Sequence, residues 1–429
     1  ELTYGLERLA MYVQGGVFLC LEDKMTEKKE TAPIRTSEYR TATKLVRGGT
    51  KRSQFNETSE AIFMNSGFVY DSAEQAAGRF KGENDGYIYS RYANPTLSMF
   101  EERMIMLEEG AVAARATASG MAAVNGALMS QLKAGDHVVA PKALFGSCLY
   151  IIETILPRFG VEVTLIDGTD IDQWKNAVTE KTACVFFETP SNPALEIMDI
   201  AAISDLAHKV DAKVVVDNVF ATPILQHPIT LGADIVVYSA TKHIDGQGRC
   251  LGGIVLGSEE FVEDTLAPYL KHTGPALSPF NAWNLLKGLE TLELRVEKQC
   301  DNAEKVAAFL SYHPAITRVL YPGSETHPHH ALAKRQMARG GTLVAFEVAG
   351  SQEDAFTVLN RLSLIDISNN LGDAKSLITH PTTTTHSSVD EATKQELGIT
   401  ENLLRLSVGL EDVDDLIDDL GYALSHQNG

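Results

Sequence analysis

The feature of this 429-residue chain that most constrains its fold is an alternation of short apolar runs with helix-like stretches. Short apolar runs bounded by turn signals are typical of buried strands. Strands that alternate with helices indicate crossover units, which build a largely parallel sheet covered on both faces. The sequence therefore predicts an α/β fold. The expected strands are 136–140, 161–166, 183–187, 213–216 and 235–238, and the expected helices are 121–132, 148–159 and 200–210.

The pattern changes after residue 275. A long helical pattern covers residues 279–313, and shorter strands and helices follow it. We therefore expect a large domain over residues 85–280 and a smaller α+β C-terminal domain over residues 281–429. The expected strands of the second domain are 316–320, 342–347 and 403–408.

A lysine and an aspartate stand where two of the expected strands end. Lys242 closes the segment that begins at Asp234, and Asp217 closes the strand that begins at Lys213. A lysine at the rim of a sheet can be desolvated, which lowers its pKa and makes a nucleophilic amine. Each residue alone has an ordinary explanation, because strand-end lysines are usually solvated and an aspartate often caps a turn or helix. Together they supply the Schiff-base lysine and the carboxylate for a pyridine nitrogen that pyridoxal phosphate (PLP) chemistry needs.

Groups that can hold a phosphate accompany this pair. Ser239 and Thr241 lie beside the lysine, and both are residue types that bind phosphate. Upstream, a helix of small residues opens at Gly120 and Met121, directly after Ser119. The free amides and the dipole of a helix N-terminus favour a phosphate dianion. A glycine before a helix is more often a simple turn, so this segment gains weight only in combination with the lysine and the aspartate.

Several segments of the chain, taken together, point to a known family. They are Tyr89-Ser90-Arg91, Asn94-Pro95-Thr96, 118–123, 188–193, Val216-Asp217-Asn218, 238–242 and 404–409. These segments resemble the PLP enzymes of cysteine and methionine metabolism, which include cystathionine synthases and lyases, methionine lyase and the homoserine-ester sulfhydrylases. The match runs in order from about Tyr39 to the C-terminus. The resemblance implies a PLP-dependent, aspartate-aminotransferase-like large domain (fold type I) with a mostly parallel sheet.

The resemblance also implies a set of PLP contacts. Lys242 would form the Schiff base, and Asp217 would pair with the pyridine nitrogen. Tyr89 and Arg91 would reach the phosphate from a neighbouring subunit, as in relatives, so the active site would be shared within a dimer. The remaining implied contacts are Ser239, Thr241, Gly120 and Met121 around the phosphate, Asn192 near the phenolic oxygen and Phe145 on the ring.

For the substrate, the resemblance implies that Arg405 binds the α-carboxylate, with Asn370 and Tyr89 nearby. A planar, bidentate donor suits a carboxylate. Arg405 is notable even without the resemblance, because an arginine inside the apolar run Leu404 to Val408 needs a carboxylate partner or a route to water.

Three departures from the commonest family pattern narrow the expected activity. Phe145 stands where the family often has tyrosine, so it can stack but cannot donate or accept a proton. Residues 369–377 and 380–386 resemble the sulfhydrylases rather than the cystathionine enzymes. Residues 242–248 resemble the branch that uses succinyl esters more than the branch that uses acetyl esters.

The resemblance therefore implies a γ-replacement in which sulfide and O-succinylhomoserine give homocysteine and succinate, a step of methionine biosynthesis. O-acetylhomoserine sulfhydrylation and cystathionine γ-synthesis remain alternatives. A PLP-binding sensor without catalysis is a third, because a fold alone does not certify an activity. The intact Lys242, Asp217 and Arg405 favour an enzyme over a sensor.

Composition excludes several other classes. A formal net charge of -20 and the lack of long basic runs argue against nucleic-acid binding. Five cysteines without a close pair favour a reducing, cytoplasmic location. No apolar window is long enough for a membrane span. No metal site is expected: 327–330, which contains three histidines, is interpreted as a solvated loop, and the acidic run 411–419 as the start of an amphipathic helix with a solvated acidic face.

Residues 1–24 are interpreted as an upstream or added extension, because Met25 begins a polar stretch that suits a natural start. From the resemblance, residues 25–84 are expected to form an arm that contributes to the neighbouring subunit. The chain is then expected to be a homo-oligomer, a tetramer built as a dimer of dimers with shared active sites.

Overall fold

The computed structural model describes residues 39–425. The expectations for residues 1–24, and for 25–38 of the N-terminal arm, lie outside the described residues. The described part forms a seven-stranded sheet and a five-stranded sheet. The strands of the first sheet are β1 Ala113–Thr117, β2 His137–Pro141, β3 Glu162–Ile166, β4 Thr182–Glu188, β5 Lys213–Asp217, β6 Ile235–Ser239 and β7 Gly253–Gly257.

The seven-stranded sheet is mostly parallel, as expected. Its order is β1-β7-β6-β5-β4-β2-β3, and β7 alone in this sheet runs antiparallel to its neighbours. The five strands expected from the sequence are confirmed within one residue at each end. The apolar pattern does not indicate β1 or β7. The first is built mainly from alanine, and the second follows a glycine-rich stretch that is typical of a loop.

Both faces of this sheet are covered. Val214 and Val216 of β5 pack into one apolar cluster, and Val215 between them packs into another. Successive residues of a strand point to opposite faces, so each face of β5 is buried under its own layer of side chains. In β5 and β6 this leaves Asp217 and Ser239 at the carboxyl ends of the strands.

The second sheet is smaller and mainly antiparallel. Its order is β10-β11-β12-β9-β8, with one parallel pair, β10 and β11. The strands are β8 Ile316–Leu320, β9 Leu343–Val348, β10 Asp366–Ile367, β11 Leu377–Thr379 and β12 Leu403–Ser407. Strand β12 lies at the centre of this sheet and carries Arg405 between Thr379 on β11 and Ala345 on β9.

Helices cover the sheets and connect them. The α-helices of the described residues are α1 Thr41–Arg47, α2 Ala73–Lys81, α3 Pro95–Leu107, α4 Gly120–Met129, α5 Gly146–Tyr150, α6 Leu156–Arg158, α7 Ile171–Ala177, α8 Ile200–Ala207, α9 Thr222–Leu225, α10 Ala267–Thr273, α11 Pro279–Leu289, α12 Leu292–Tyr312, α13 His330–Gln336, α14 Gln352–Arg361, α15 Glu391–Glu396 and α16 Val413–Leu424. Two π-helical segments, Ile151–Ile155 and Glu260–Leu266, lie before α6 and α10. Short 3₁₀ turns occupy His208–Val210, Pro228–Leu231 and Pro381–Thr383.

The single helical pattern expected over residues 279–313 is wrong in one respect, because two helices, α11 and α12, share it. The end of α11 is tightly packed. Gly288 packs so closely on the loop after β6 that a Cβ atom there would lie 2.2 Å from the carbonyl oxygen of Ile244. The carbonyl of Gly288 accepts hydrogen bonds from the backbone amides of Glu290 and Thr291 and, at 2.8 Å, from the guanidinium of Arg295 of α12.

The histidine-rich loop is also corrected. The sequence suggests a solvated loop at residues 327–330, but His327 is buried and Nδ1 of His329 accepts a hydrogen bond from the backbone of Ile197. The acidic run does begin a helix, α16, as expected, with Asp412 as its cap. Its acidic face is not wholly solvated, since Asp419 accepts hydrogen bonds from three successive backbone amides that begin at Ser363.

Part of the segment assigned to the N-terminal arm packs on its own chain. Glu60 is buried and pairs with Arg103 of α3 and Lys287 of α11. The indole of Trp283 donates a 2.9 Å hydrogen bond to the backbone carbonyl of Glu60. These contacts fix the middle of the arm to the large sheet's outer helices.

Candidate active site

One pocket lies where the carboxyl ends of β4, β5 and β6 face the second sheet. In an open parallel sheet this is the edge where ligands bind. Nine of the sequence-predicted residues line it or bond directly into it: Gly120, Met121, Phe145, Asn192, Asp217, Ser239, Thr241, Lys242 and Arg405. The fold therefore brings together residues that are up to 285 positions apart in the chain, the difference between 405 and 120.

Lys242 follows β6 and points into this pocket. Its Nζ donates a 2.6 Å hydrogen bond to Oδ1 of Asn370, which places the predicted Asn370 beside the lysine. Burial, together with the positive charge of Arg405, lowers the pKa of Lys242 to about 8. The expected desolvated amine is present, and near neutral pH a useful fraction of it is unprotonated.

Asp217 ends β5 inside the same pocket. Its Oδ1 accepts a 3.0 Å hydrogen bond from the backbone of Val219, which fixes the carboxyl group. Burial raises the pKa of Asp217 to about 7, and the hydrogen bond from Val219 opposes this rise. A buried carboxyl with an elevated pKa gains most from a cationic partner, such as a protonated ring nitrogen, because that partner restores the favourable charge balance.

The first turn of α4 meets Ser239 in a way that suits a phosphate. Ser119 caps the helix by accepting a hydrogen bond from the amide of Ala122. A Cβ atom at Gly120 would lie 2.6 Å from Oγ of Ser239, so only glycine allows this approach. Thr241 is held nearby by two hydrogen bonds with the backbone of Gly252. The hydroxyl groups of Ser239 and Thr241, the amides of the first turn of α4 and the space beside Gly120, where no side chain fits, suit the phosphate of PLP.

Arg405 faces Lys242 from the second sheet and is almost fully buried. Its Nη1 donates a 2.7 Å hydrogen bond to Oδ1 of Asn192, and its Nη2 donates to the carbonyls of Asn369 at 3.0 Å and Asn370 at 3.4 Å. All these acceptors are neutral, and within residues 39–425 its Nε has no partner. Burial lowers the pKa of Arg405 to about 10, while the negative field of Glu188 opposes this effect.

Phe145 lines the pocket at the start of α5. Its side chain has no polar atom, so it can contribute packing and ring stacking but no proton. Asn192 lines the same pocket, and its side chain is engaged by Arg405.

Tyr89 and Arg91 are not brought to this pocket by the chain itself. Tyr89 is 42% exposed. The guanidinium of Arg91 donates to the carbonyl of Lys271 and lies 4.9 Å from the ring centre of Tyr92. Their expected role in a neighbour's site stays a prediction.

Sequence reasoning gave no role to Glu188, although the structure places it in the pocket. The signal was present: Glu188 ends an apolar strand in the same way as Asp217 ends β5. Burial and the neighbouring Asp217 raise the pKa of Glu188 to about 8, against the backbone amides of Asn192 and Phe145.

Among residues 39–425, no group of three or more His, Cys, Asp or Glu side chains is arranged to hold a metal ion. The same part of the chain contains no helix that is long and apolar enough to cross a membrane.

The match to a known family covers nearly the whole described chain. The model of the Cys/Met metabolism PLP-dependent enzymes matches residues 42–425. The chain belongs to this family. It is therefore a PLP-dependent enzyme with the aspartate-aminotransferase-like fold, and its relatives act in cysteine and methionine metabolism.

Three relatives illustrate the range of activities within the family. The chain is 54% identical to O-succinylhomoserine sulfhydrylase of Mycobacterium tuberculosis H37Rv, over 90% of this chain and 95% of the relative. It is 44% identical to L-methionine gamma-lyase of Fusobacterium nucleatum subsp. polymorphum, over 91% and 99% of the two chains. A solved chain described as O-acetylhomoserine (thiol)-lyase from Campylobacter jejuni carries N'-pyridoxyl-lysine-5'-monophosphate; it matches with a TM-score of 0.86 and 34% identity, over 90% and 100% of the two chains.

Proposed function

We propose that this enzyme catalyses γ-replacement on O-succinylhomoserine, with sulfide as the nucleophile and homocysteine and succinate as products. The observation that carries the proposal is Arg405. It is a buried guanidinium whose Nε has no partner among the described residues, and it lies in the same pocket as the amine of Lys242. A buried cation without a carboxylate partner is costly unless an anionic ligand completes its coordination. An amino-acid substrate supplies such an anion, because its α-carboxylate is attached to the same carbon as the amino group that reacts with the cofactor.

PLP, when bound, acts as an electron sink for carbanion chemistry at the substrate's α- and β-carbons. Lys242 would form the covalent link to PLP. After the substrate amine replaces it, Lys242 would take the α-proton, because its lowered pKa makes the free amine a competent base near neutral pH. Asp217 would hold the ring nitrogen protonated. Ser239, Thr241 and the amides at the start of α4 would hold the phosphate, including those of Gly120 and Met121.

Arg405 would position the substrate α-carboxylate. Asn370 would lie between the guanidinium of Arg405 and the amine of Lys242. Asn192 would lie beside the cofactor's phenolic oxygen while its side chain supports Arg405. Phe145 would stack on the ring.

Phe145 also favours an acyl ester over a thioether as substrate. A carboxylate is a weak base and can depart without a proton. A thiolate is a much stronger base and benefits from a proton donor at the departing atom. Phe145 lines the pocket but cannot supply that proton. This supports γ-replacement on an acyl ester over cleavage of methionine or cystathionine.

The acyl group and the sulfur donor are settled by a product assay. The purified enzyme would be given the succinyl, acetyl or phosphoryl ester of homoserine, each with sulfide or with cysteine. We expect the highest kcat/KM for the succinyl ester with sulfide, and homocysteine as product. A preference for the acetyl ester, or cystathionine as the main product, would replace the proposal with one of those activities. Spectral change without any product would favour a sensor.

We further propose that the active site is shared between subunits of a homo-oligomer, a dimer of dimers, in the cytoplasm. The exposure of Tyr89 and the position of Arg91 outside its own chain's pocket support a shared site. We also retain the division into domains 85–280 and 281–429, and an arm at 25–84, as part of this proposal. The two sheets support the division, since one falls in each of the two domains.

Subunit mixing tests the shared site. Lys242→Ala and Arg91→Ala proteins, each nearly inactive and folded, would be refolded together so that subunits exchange. A mixed dimer has one site with an intact Lys242 and an intact Arg91 from the partner, so partial activity should return. If exchange is demonstrated and activity stays absent, each site is built within one chain.

A further inference from the structure

Two carboxyl groups lie side by side at the floor of the pocket. Strands β4 and β5 are parallel, and their register pairs Glu188 with Asp217. Both side chains line the pocket, and Glu188 is only 6% exposed. Two neighbouring carboxyl groups in a poorly solvated site do not both ionise readily, because each negative charge disfavours the other. The pocket chemistry proposed above assigns a charge to Asp217 and leaves the state of Glu188 open.

Glu188 also has a structural link to the opposite wall. Its Oε1 accepts a 2.8 Å hydrogen bond from the backbone amide of Asn192. The side chain of Asn192 in turn accepts the 2.7 Å hydrogen bond from Arg405. The acceptor at Glu188 therefore fixes the residue that orients the guanidinium. A neutral carboxyl group can serve this purpose as well as a carboxylate, since either offers an oxygen acceptor.

The charges that face Glu188 determine its preferred state. Asp217 lies on the adjacent strand and opposes ionisation, while Arg405 from the second sheet favours it. The thiol of Cys148 from α5 is close enough to sense both carboxyl groups, and its pKa is raised well above the usual range, so it is neutral. Burial and Asp217 together outweigh Arg405 and raise the pKa of Glu188 to about 8.

We propose that Glu188 is a positioning residue that stays protonated at neutral pH, leaves the negative charge to Asp217, and orients Arg405 through Asn192. A neutral Glu188 has a direct benefit. An ionised Glu188 would attract the guanidinium of Arg405 and compete with the incoming carboxylate for it. Protonation of Glu188 keeps the guanidinium of Arg405 in position and free to bind an anion.

The first test measures stability against pH in the holoenzyme. The folded protein keeps the Glu188 proton up to about pH 8, whereas the unfolded chain releases it near a pKa of about 4.3. Wild-type stability should therefore fall as pH rises from 5 to 8, and Glu188→Gln should lack this contribution. The melting temperature of Glu188→Gln minus that of wild type should grow over this range. A constant difference would show that Glu188 is already ionised and would overturn the proposal.

Glu108→Gln provides a matched control. Glu108 is a second buried carboxyl group, its pKa is also raised to about 8 by burial, and it accepts a hydrogen bond from Tyr238 away from the pocket lining. This variant should show the same pH-dependent gain in melting temperature. Its ligand binding should follow that of wild type.

The second test measures binding of L-norleucine, an amino acid without a leaving group on its γ-carbon, to the holoenzyme by absorbance. At pH 7, Glu188→Ala should weaken binding by about tenfold, because the Asn192 amide loses its acceptor, while Glu188→Gln should stay within about threefold because it keeps that acceptor. From pH 7 to 9, wild type should lose at least about threefold more affinity than Glu188→Gln, as ionised Glu188 begins to compete for Arg405.

The outcomes separate the possible roles. If Glu188→Gln is as defective as Glu188→Ala at pH 7, Glu188 acts as an anion. If Glu188→Ala binds norleucine as wild type does, Glu188 has no positioning role. Should the alanine variant fail to fold, the comparison of wild type with Glu188→Gln still decides the protonation state. Neither measurement requires turnover of a homoserine ester. Failure of the proposal for Glu188 can therefore be distinguished from failure of the proposed reaction.

Discussion

Two of the buried arginines, Arg103 and Arg405, have surroundings that differ sharply. Arg103 is fully buried, and each of its three side-chain nitrogens has a partner: the acceptors are the carboxylate of Glu60, the hydroxyl of Thr50, and the carbonyls of Gly48 and Leu286. Arg405 is equally buried, but its acceptors are neutral and its Nε has no partner within the described part of the chain. Over residues 39–425, Arg103 has a hydrogen-bonded counter-ion in Glu60, and Arg405 has none.

This difference separates a structural charge from a functional one. Burial would by itself raise the pKa of Glu60, but hydrogen bonds from Lys287 and Arg103 outweigh it and lower the pKa to about 2. That ion pair is complete and joins the N-terminal arm to α3 and α11. Arg405 instead faces a pocket, where an anionic ligand would supply a counter-ion. The same substitution at the two positions should therefore have opposite consequences.

The largest effect is expected for activity at Arg405. Arg405→Met removes the cation that we propose binds the substrate carboxylate, and kcat/KM should fall by about 100- to 1,000-fold. The free energy of unfolding should stay unchanged or rise, because a buried cation without a charged partner is replaced by an apolar side chain of similar length. Steady-state kinetics and chemical denaturation of the same preparation measure both quantities. Full activity in this variant would show that Arg405 does not bind the substrate carboxylate.

The reverse is expected at Arg103. Arg103→Met leaves the carboxylate of Glu60 buried with Lys287 as its remaining ion-pair partner, so the protein should lose about 3 kcal/mol of stability. Its kcat/KM, corrected for the folded fraction, should fall far less than that of Arg405→Met. A stability equal to wild type would contradict the interpretation of Arg103 as the structural arginine.

How much of this could be predicted from sequence differs between the two arginines. Arg405 interrupts an apolar strand pattern, which is a local signal, and Lys242 and Asp217 end apolar strands in the same visible way. The pairing of Arg103 with Glu60 joins residues 43 positions apart on an irregular segment and a helix, and no pattern in either segment indicates it.

The rest of the fold shows the same division. Strands with an apolar centre, such as β5, were predictable within a residue. The antiparallel β7 was not, because it begins with glycine after a loop-like stretch and is identified only by its neighbours in the sheet. Glu188 had the same strand-end signal as Asp217. Its importance depends on the register between β4 and β5, which the sequence alone does not specify.

The smallest effect is expected at Phe145, an uncharged residue of the pocket wall, where a substitution should change which substrates the enzyme cleaves. Phe145→Tyr adds a hydroxyl group that could donate a proton to a departing thiolate, so cleavage of cystathionine or methionine should rise by at least about tenfold from its low starting value. Sulfhydrylation of the acyl ester should change less, because a carboxylate leaves without a proton. Phe145→Leu serves as the control that alters packing without a hydroxyl. Equal gains in both variants would contradict the role assigned to the missing proton donor.

Lys242 is the lysine that we propose PLP modifies, and mass spectrometry can test this modification directly. The holoenzyme would be reduced with borohydride, digested and analysed by mass spectrometry, with Lys242→Ala treated in parallel. We expect a phosphopyridoxyl group on the peptide that contains Lys242, and none on the peptides of the variant. Modification of a different lysine in the wild-type protein, or persistent modification in Lys242→Ala, would contradict it.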